Sequence, residues 1–281
     1  MLTQQIKHCT PSTLKRRTQV LLIFTPWIAI SAIASSPVLA ATFAHSEGML
    51  QFANFNHPLY STNSFAGTNS LALIKADAAV TSMSYASASL SNYPYSAPFG
   101  NLFSSSLTLG MGQDYRGLSQ SNAQIIGYFL IGQPDYFSFD FRGFLNIATF
   151  GNFPKFSQAS GILAFALLDT TQPSRVNLLD YFTLAGQSSS VLDNNFVASG
   201  YSDLIQSTVT SHQIVNSNQS LAQLSVIGSL KRSFETPTHI TLIAINAQQA
   251  EVKVPEPSFS LSLFLFGFGF VARIKHKKSI K

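Results

Sequence analysis

Apolar and polar side chains alternate with a period of two, and this alternation is the feature that most constrains the fold. In the clearest segment, Phe137, Phe139 and Phe141 alternate with Ser138 and Asp140. Successive side chains of a β-strand point to opposite faces, so the three rings share one face and the polar groups share the other. The segment therefore predicts a strand that is buried on one face.

Short runs of aromatic and β-branched residues recur along the chain, bounded by Gly, Pro, Asn and Ser, without long amphipathic helical patterns between them. This texture is typical of many short antiparallel strands. We expect an all-β fold over residues 42–253, a single antiparallel β-sandwich or jelly-roll-like domain, flanked by an N-terminal signal helix and a C-terminal hydrophobic helix. Further strands are predicted at residues 125–131, 161–168, 177–184, 196–201, 221–230 and 239–246.

The pattern leaves some segments open. Residues 81–112 are rich in serine, which is compatible with a flexible loop or with a strand that has a polar face. The sequence also allows two short helices, near residues 71–80 and near residues 202–210. Neither helix would change the fold class.

The first 41 residues have the three parts of a secretory signal peptide. A basic segment precedes an apolar run from Val20 to about Ile33, and small residues follow it. We expect cleavage after Ala40 or Ala41 by signal peptidase, following export through the Sec translocon. An uncleaved anchor is the alternative, but the apolar run is short for a membrane span. The basic residues are Lys7, Lys15, Arg16 and Arg17.

The last 28 residues, 254–281, contain Pro255-Glu256-Pro257, then an apolar run over residues 259–272, then a basic end. This order resembles the PEP-CTERM sorting signal of bacteria that produce exopolysaccharide. The resemblance implies that an exosortase, a cysteine-dependent transpeptidase-like membrane enzyme, recognises the tail and removes it. The basic residues that would halt transfer are Arg273, Lys275, Lys277 and Lys278.

The physical properties of the tail agree with this resemblance. Proline lacks the backbone N–H and disfavours helix, so the Pro-Glu-Pro segment stays extended and accessible. Residues 258–274 are just long enough to cross a bilayer, and the basic end would remain in the cytoplasm. A buried terminal strand is less consistent, because the phenylalanines that alternate there have leucines between them rather than polar residues. We expect transient anchoring in the inner membrane, then delivery to the cell surface or to the extracellular exopolysaccharide (biofilm) matrix.

The net positive charge of the chain comes from the basic residues at its two ends. The whole chain carries a formal net charge of +5, but residues 42–253 hold eight Lys and Arg against eleven Asp and Glu, a net charge of −3. The basic residues of this body are scattered, which excludes a phosphate-binding stripe and argues against nucleic-acid binding. The single cysteine, Cys9, lies in the signal peptide, so disulfides and thiolate chemistry are not expected in the body.

The body shows no motif of known catalytic chemistry, such as Gly-x-Ser-x-Gly, His-Glu-x-x-His or a P-loop. Nothing in the sequence brings Glu235 and Asp203 together as an acid pair. We therefore predict no enzyme activity, no cofactor and no metal site. Weak signals for Ca²⁺ exist at 193–195 (Asp-Asn-Asn) and 133–135 (Gln-Pro-Asp), although turns explain them better. The isolated histidines His45, His57, His212 and His239 are expected on the surface or in loops.

Three hypotheses for the body follow. The first is a structural or adhesive component of the cell surface or matrix. The second is a carbohydrate-binding module in which tyrosines stack on sugar rings, although core packing accounts for these residues equally well. The third is a secreted hydrolase whose dispersed carboxylates meet only in the fold. The tyrosines of the second hypothesis are Tyr93, Tyr95, Tyr115 and Tyr128.

Overall fold

The computed structural model describes residues 41–74, 78–92, 97–112, 114–151, 156–190, 195–200, 204–216 and 218–254. All of them belong to one compact unit, residues 39–281. The described residues form strands, turns and loops and contain no helix. The strands are β1 (Thr42–Ala53), β2 (Ser61–Ile74), β3 (Ala79–Ser91), β4 (Phe99–Met111), β5 (Tyr115–Ile131), β6 (Asp135–Phe150), β7 (Phe156–Asp169), β8 (Asn177–Ser189), β9 (Asn195–Gly200), β10 (Ile205–Asn216), β11 (Gln219–Phe234) and β12 (Thr238–Lys253).

The strands form two six-stranded sheets in which neighbours run antiparallel. Sheet 1 has the order β10-β11-β6-β1-β4-β3, and sheet 2 has the order β2-β5-β12-β7-β8-β9. One face of each sheet contributes to a shared core, so the architecture is all-β and sandwich-like. Most central strands accordingly alternate between buried and partly exposed residues.

One half of the core is built from phenylalanine rings. Phe52 in sheet 1 packs edge-on against Phe165 in sheet 2, with 5.6 Å between ring centroids. Phe141 and Phe182 make a second contact between the sheets at 5.2 Å. Offset and edge-to-face aromatic pairs add stability beyond the area that they bury. The predicted alternation is confirmed here, because Phe137, Phe139 and Phe141 are each at most 1% exposed.

The other half of the core is built from small and polar side chains. Ser104 Oγ donates to the backbone carbonyl of Asn246 at 2.9 Å, and Thr108 Oγ1 donates to that of Ala250 at 3.2 Å. Both bonds run from β4 in sheet 1 to β12 in sheet 2. Facing sheets normally stand about 10 Å apart, so a direct bond from a short hydroxyl side chain means that the backbones approach closely here.

The structure shows which conformation is adopted by the segments for which the sequence allowed more than one. The strand alternative for residues 81–112 is confirmed, since β3 and β4 occupy most of that stretch. Its serines alternate as a strand requires: Ser104 and Ser106 are fully buried and face the other sheet. The predicted strands at 125–131, 161–168, 177–184, 221–230 and 239–246 are also confirmed. For the strand predicted at 196–201, β9 covers residues 196–200.

The prediction of two short helices, near residues 71–80 and 202–210, was wrong. Residues 71–74 continue β2, where Leu71 pairs with Leu118 of β5, and residues 79 and 80 open β3. Residues 205–210 belong to β10, which pairs with β11 along its whole length. Cross-strand backbone bonds and β-branched residues such as Thr208 and Val209 outweigh the weak helical pattern.

The predicted targeting signals lie mostly outside the described residues. Ala40, the Pro255-Glu256-Pro257 motif, the basic residues of both ends and segment 258–274 all fall in undescribed ranges, while Ala41 immediately precedes β1. The backbone N–H of Val254 donates to the carbonyl of Tyr115 at 3.0 Å, so the described chain is held to β5 up to the start of the tail. Within the described part of the chain, no helix has the length and apolar character needed to cross a membrane.

Candidate functional site: an uncharged amide groove

A broad groove lies on the outer face of sheet 2. Its volume is about 730 Å³, which is within the usual range for small-ligand sites. It runs across the strands, because residues from β2, β5, β12, β7, β8 and β9 all contribute to its lining.

A row of five amide side chains and one serine crosses this groove from one edge of the sheet to the other. The strand register places Asn69 opposite Gln120, Gln120 opposite Gln249, and Gln249 opposite Ser160. The row continues through Gln187 of β8 to Asn195 of β9. Neighbouring strands stand about 4.8 Å apart, so the row repeats polar groups at that spacing. We call these residues the amide row: Asn69, Gln120, Gln249, Ser160, Gln187 and Asn195.

Hydrogen bonds orient the first part of the amide row. Asn69 Nδ2 donates to Gln120 Oε1 at 3.4 Å, and Gln120 Nε2 donates to Gln249 Oε1 at 3.2 Å. An amide carries two donors and an acceptor with two lone pairs, so each side chain still has capacity for a ligand.

Mostly small and apolar residues lie beside the amide row. The next row on the same face consists of Gly67, Ala247, Ile162, Ala185 and Val197, together with Asn122, which is exposed and adds another amide. The groove therefore combines a polar row with a mostly apolar one.

The groove is uncharged. Among the described residues that line it, none is Asp, Glu, Lys, Arg or His, and none is aromatic. A charged ligand would therefore lose its hydration without gaining a counterion, which is strongly unfavourable. A neutral ligand rich in hydroxyl groups fits best, because hydroxyls and amides each both donate and accept hydrogen bonds.

A buried polar network supports the groove from below. Gln248 points into the core, where its Oε1 accepts from Ser46 Oγ and its Nε2 donates to Asn246 Oδ1 at 2.7 Å. Asn246 Nδ2 then donates to the carbonyl of Gly48 at 2.6 Å. A Cβ on Gly161 would lie 2.0 Å from Gln248 Oε1, so a larger residue in β7 would displace this side chain from its hydrogen bonds. The network ties β12, in the middle of the groove floor, to β1 of the other sheet.

The tyrosine platform proposed from the sequence is not assembled at this groove. Tyr115 is only 3% exposed and hydrogen-bonds Thr42, so it belongs to the core. Burial raises the pKa of Tyr115, and the bond with Thr42 partly offsets this effect. Tyr128 is exposed and lines a smaller cavity of about 260 Å³ together with Tyr60, which is 73% exposed. Tyr93 and Tyr95 lie outside the described residues.

One of the histidines, His45, differs from the sequence interpretation. His45 lies in β1 and its side chain is only 16% exposed, with Nε2 at 3.8 Å from a carboxylate oxygen of Glu47. Burial lowers the pKa of His45 to about 4 and raises the pKa of Glu47, so His45 is neutral at pH 7. His57 lies in the loop between β1 and β2, as expected, with its Nε2 3.4 Å from a carboxylate oxygen of Asp135. His212 and His239 are exposed, as expected, but lie in strands.

The weak sequence signals for a Ca²⁺ site and for an acid pair gain no support from the described residues. Asp193, Asn194 and Asp203 lie outside the described residues, whereas Asn195 joins the amide row. Asp135 accepts the backbone N–H of Tyr136 at 2.7 Å, which is ordinary turn chemistry. Within the described ranges no group of three or more His, Cys, Asp or Glu is arranged to hold a metal ion.

Sequence reasoning missed the groove for a physical reason. Period-two alternation shows that Gln120 and Gln249 face away from the core, but it does not show that they are neighbours. That adjacency depends on the lateral order and register of six strands drawn from residues 61–253. The available signal was the excess of Asn and Gln over charged residues at outward positions.

No protein-family model, no curated protein and no solved structure matches this chain.

Proposed function

We propose that this chain is an exported, non-enzymatic protein of the cell surface or exopolysaccharide matrix, whose body adheres to neutral polysaccharide through the amide groove. The observation that carries the proposal is the uncharged amide row that crosses all six strands of sheet 2. A jelly-roll-like sandwich between a signal helix and a C-terminal membrane helix remains our finer prediction for the fold.

The direction of the groove favours a polymer. The amide row extends across six strands, and strands are about 4.8 Å apart, so the row is roughly 24 Å long. An extended chain of several sugar units could lie along it, with hydroxyl pairs facing successive amides. Specificity would come mainly from hydrogen bonds, since none of the described lining residues is aromatic and the exposed ring of Phe65 lies only at the β2 edge of the groove, next to Gly67. The hydrolase alternative gains nothing here, because that lining also offers no carboxylate to act as acid or nucleophile.

The double variant Gln120→Ala/Gln249→Ala should weaken binding to neutral polysaccharide by about 10- to 100-fold. Each amide can make one or two bonds worth about 0.5–1.5 kcal/mol net, and about 1.4 kcal/mol corresponds to tenfold in Kd. Binding of the purified exported protein to neutral and acidic polysaccharides, followed by titration calorimetry, measures the effect.

The matched control is Gln51→Ala/Gln223→Ala, which removes two partly exposed glutamines from the outer face of sheet 1. This control should bind as the native protein does. The groove proposal fails if the native protein binds no neutral polysaccharide, or if both double variants bind equally well. A native protein that binds nothing would leave the purely structural role as the better hypothesis.

The tail carries the localisation part of the proposal, together with an exosortase-like enzyme as partner. Pro255→Ala/Glu256→Ala should leave export intact but retain the protein in the membrane fraction with its tail attached, because the processing enzyme loses its motif. Membrane fractionation with mass spectrometry of both termini measures this result. Glu235→Ala/Pro237→Ala, in the exposed connection between β11 and β12, is the matched control. Normal tail removal in the Pro255→Ala/Glu256→Ala variant would refute the sorting mechanism.

A further inference from the structure

Four strands lie at the edges of the two sheets, and three of them are protected. The edge strands β2 and β3 lie against each other, with Ser82 Oγ donating to the carbonyl of Leu71 at 3.1 Å and the hydroxyls of Ser70 and Ser84 at 2.9 Å. The edge strand β9 is only six residues long. The fourth, β10, has twelve residues and pairs with β11 on one side.

Strand β10 is exposed on both of its faces. Val209 lies opposite Val226, so the two side chains point to the same face. Val226 is 1% exposed and belongs to the core, whereas Val209 is 41% exposed. Val215 on the same face is 60% exposed, and Ile214 on the opposite face is 43% exposed. The strand therefore extends beyond the part of sheet 1 that sheet 2 covers.

The sequence of β10 lacks the usual protection against edge pairing. Natural edge strands are short, or carry Lys, inward-pointing charges, Pro or bulges. Residues 205–216 contain no Lys, Arg, Asp, Glu or Pro, and the pairing with β11 is regular throughout. Six of the twelve residues are Val, Ile or Thr, at positions 205, 208, 209, 210, 214 and 215, which favours extended structure. Among the described strands nothing pairs with this edge, so it presents backbone groups over about twice the length of an average strand.

We propose that β10 pairs antiparallel with β10 of a second copy of this chain, which joins sheet 1 of the two copies into one continuous sheet. A second copy fits because a two-fold arrangement pairs one uncharged strand with itself and places no like charges opposite each other. If the two-fold axis passes between Thr210 and Ser211, the hydroxyl of Thr210 in one copy lies opposite that of Ser211 in the other. Pairing of the two β10 strands also covers the open edge of both copies. A single strand from another protein would instead become a new open edge of the sheet.

The interface does not involve the amide groove, which lies on sheet 2, so the two proposals can fail separately. Pairing would satisfy about one backbone hydrogen bond per residue along β10 and would cover Val209 and Val215. Both copies would keep their grooves accessible, which gives the dimer two points of attachment to one polymer.

Sedimentation of the purified exported protein over a range of concentrations tests the association. We expect a concentration-dependent dimer, with slower backbone amide exchange in residues 205–216 as the concentration rises. Val209→Lys/Val215→Lys should weaken the dimer at least tenfold, because inward-pointing charges oppose strand addition. Val176→Lys, at a position 53% exposed and away from β10, is the matched control and should dimerise normally.

Spin labels test the geometry without disturbing β10 by charge. In a Cys9→Ser background, a label at Thr210→Cys should lie close to its counterpart in the second copy. A label at Gln206→Cys should lie roughly 30 Å from its counterpart, since residue 206 faces residue 215 of the other copy and a strand rises about 3.3 Å per residue. A monomer at all concentrations overturns the proposal, as does a dimer that resists Val209→Lys/Val215→Lys, or one with equal distances at both labels.

Discussion

Replacing Arg232 with methionine should lower the free energy of unfolding by about 3–5 kcal/mol, since it would leave a buried carboxylate without its partner. Asp180 is fully buried, and its Oδ2 accepts from Arg232 Nη1 at 3.1 Å. Within the described chain its other oxygen, Oδ1, has no hydrogen-bond partner. Arg232 lies on β11 in sheet 1 and Asp180 on β8 in sheet 2, so this ion pair joins the two sheets beside the phenylalanine core. Chemical denaturation at pH 7 measures the loss.

The double variant Asp180→Leu/Arg232→Met separates the two parts of this effect. Apolar side chains of similar volume often replace a buried ion pair at little cost, so the double variant should recover most of the lost stability. Arg142→Met removes an exposed arginine from β6 and should change the free energy of unfolding by less than about 0.5 kcal/mol. An Arg232→Met protein as stable as the native one would mean that water reaches Asp180.

The parts of the fold that follow from local pattern could be predicted from the sequence. The alternation of Phe137, Phe139 and Phe141 identified β6 and its buried face, because side-chain direction in a strand depends only on the residue position. The all-β class could also be predicted, because a long amphipathic helix would leave a period of 3.6 residues in the local sequence, and no such pattern is present.

The serine-rich strands show where local pattern becomes ambiguous. Ser104 and Ser106 look like loop residues in sequence, yet both are fully buried. Their hydroxyls donate to the carbonyls of Asn246 and Gln248 in the opposite sheet, 142 residues away. No neighbouring residue indicates that such acceptors will be present, so the sequence left loop and strand open.

The candidate site depends even more on distant residues. Asn69 and Gln120 become neighbours because β2 pairs with β5, and Gln249 joins them because β12 pairs with the other side of β5. His45 is a different case: its proximity to Glu47 arises within β1, because residues two apart in a strand share a face. Lateral strand order, which no period-two pattern encodes, decides the amide row.

Gln248 and Gln249 are adjacent in sequence and face opposite sides of β12, so the same substitution should have opposite effects at the two positions. Gln248→Leu should lower the free energy of unfolding by about 2–4 kcal/mol. It would leave Ser46 Oγ without its acceptor and Asn246 Oδ1 without its donor, and each buried unpaired group costs about 1–3 kcal/mol. Gln249→Leu alters a partly exposed side chain and should change stability by less than about 0.5 kcal/mol.

Polysaccharide binding should show the reverse order. Gln249→Leu removes a central member of the amide row and the acceptor for Gln120, so we expect a loss of affinity of about tenfold. Gln248→Leu leaves every outward amide in place, so its folded fraction should bind more tightly than Gln249→Leu does. Denaturation curves and calorimetric titrations on the two variants, at a temperature where both are folded, provide the comparison. If both variants lost the same stability and the same affinity, the polar network and the groove would be one cooperative unit, and the division of β12 into a supporting face and a binding face would be wrong.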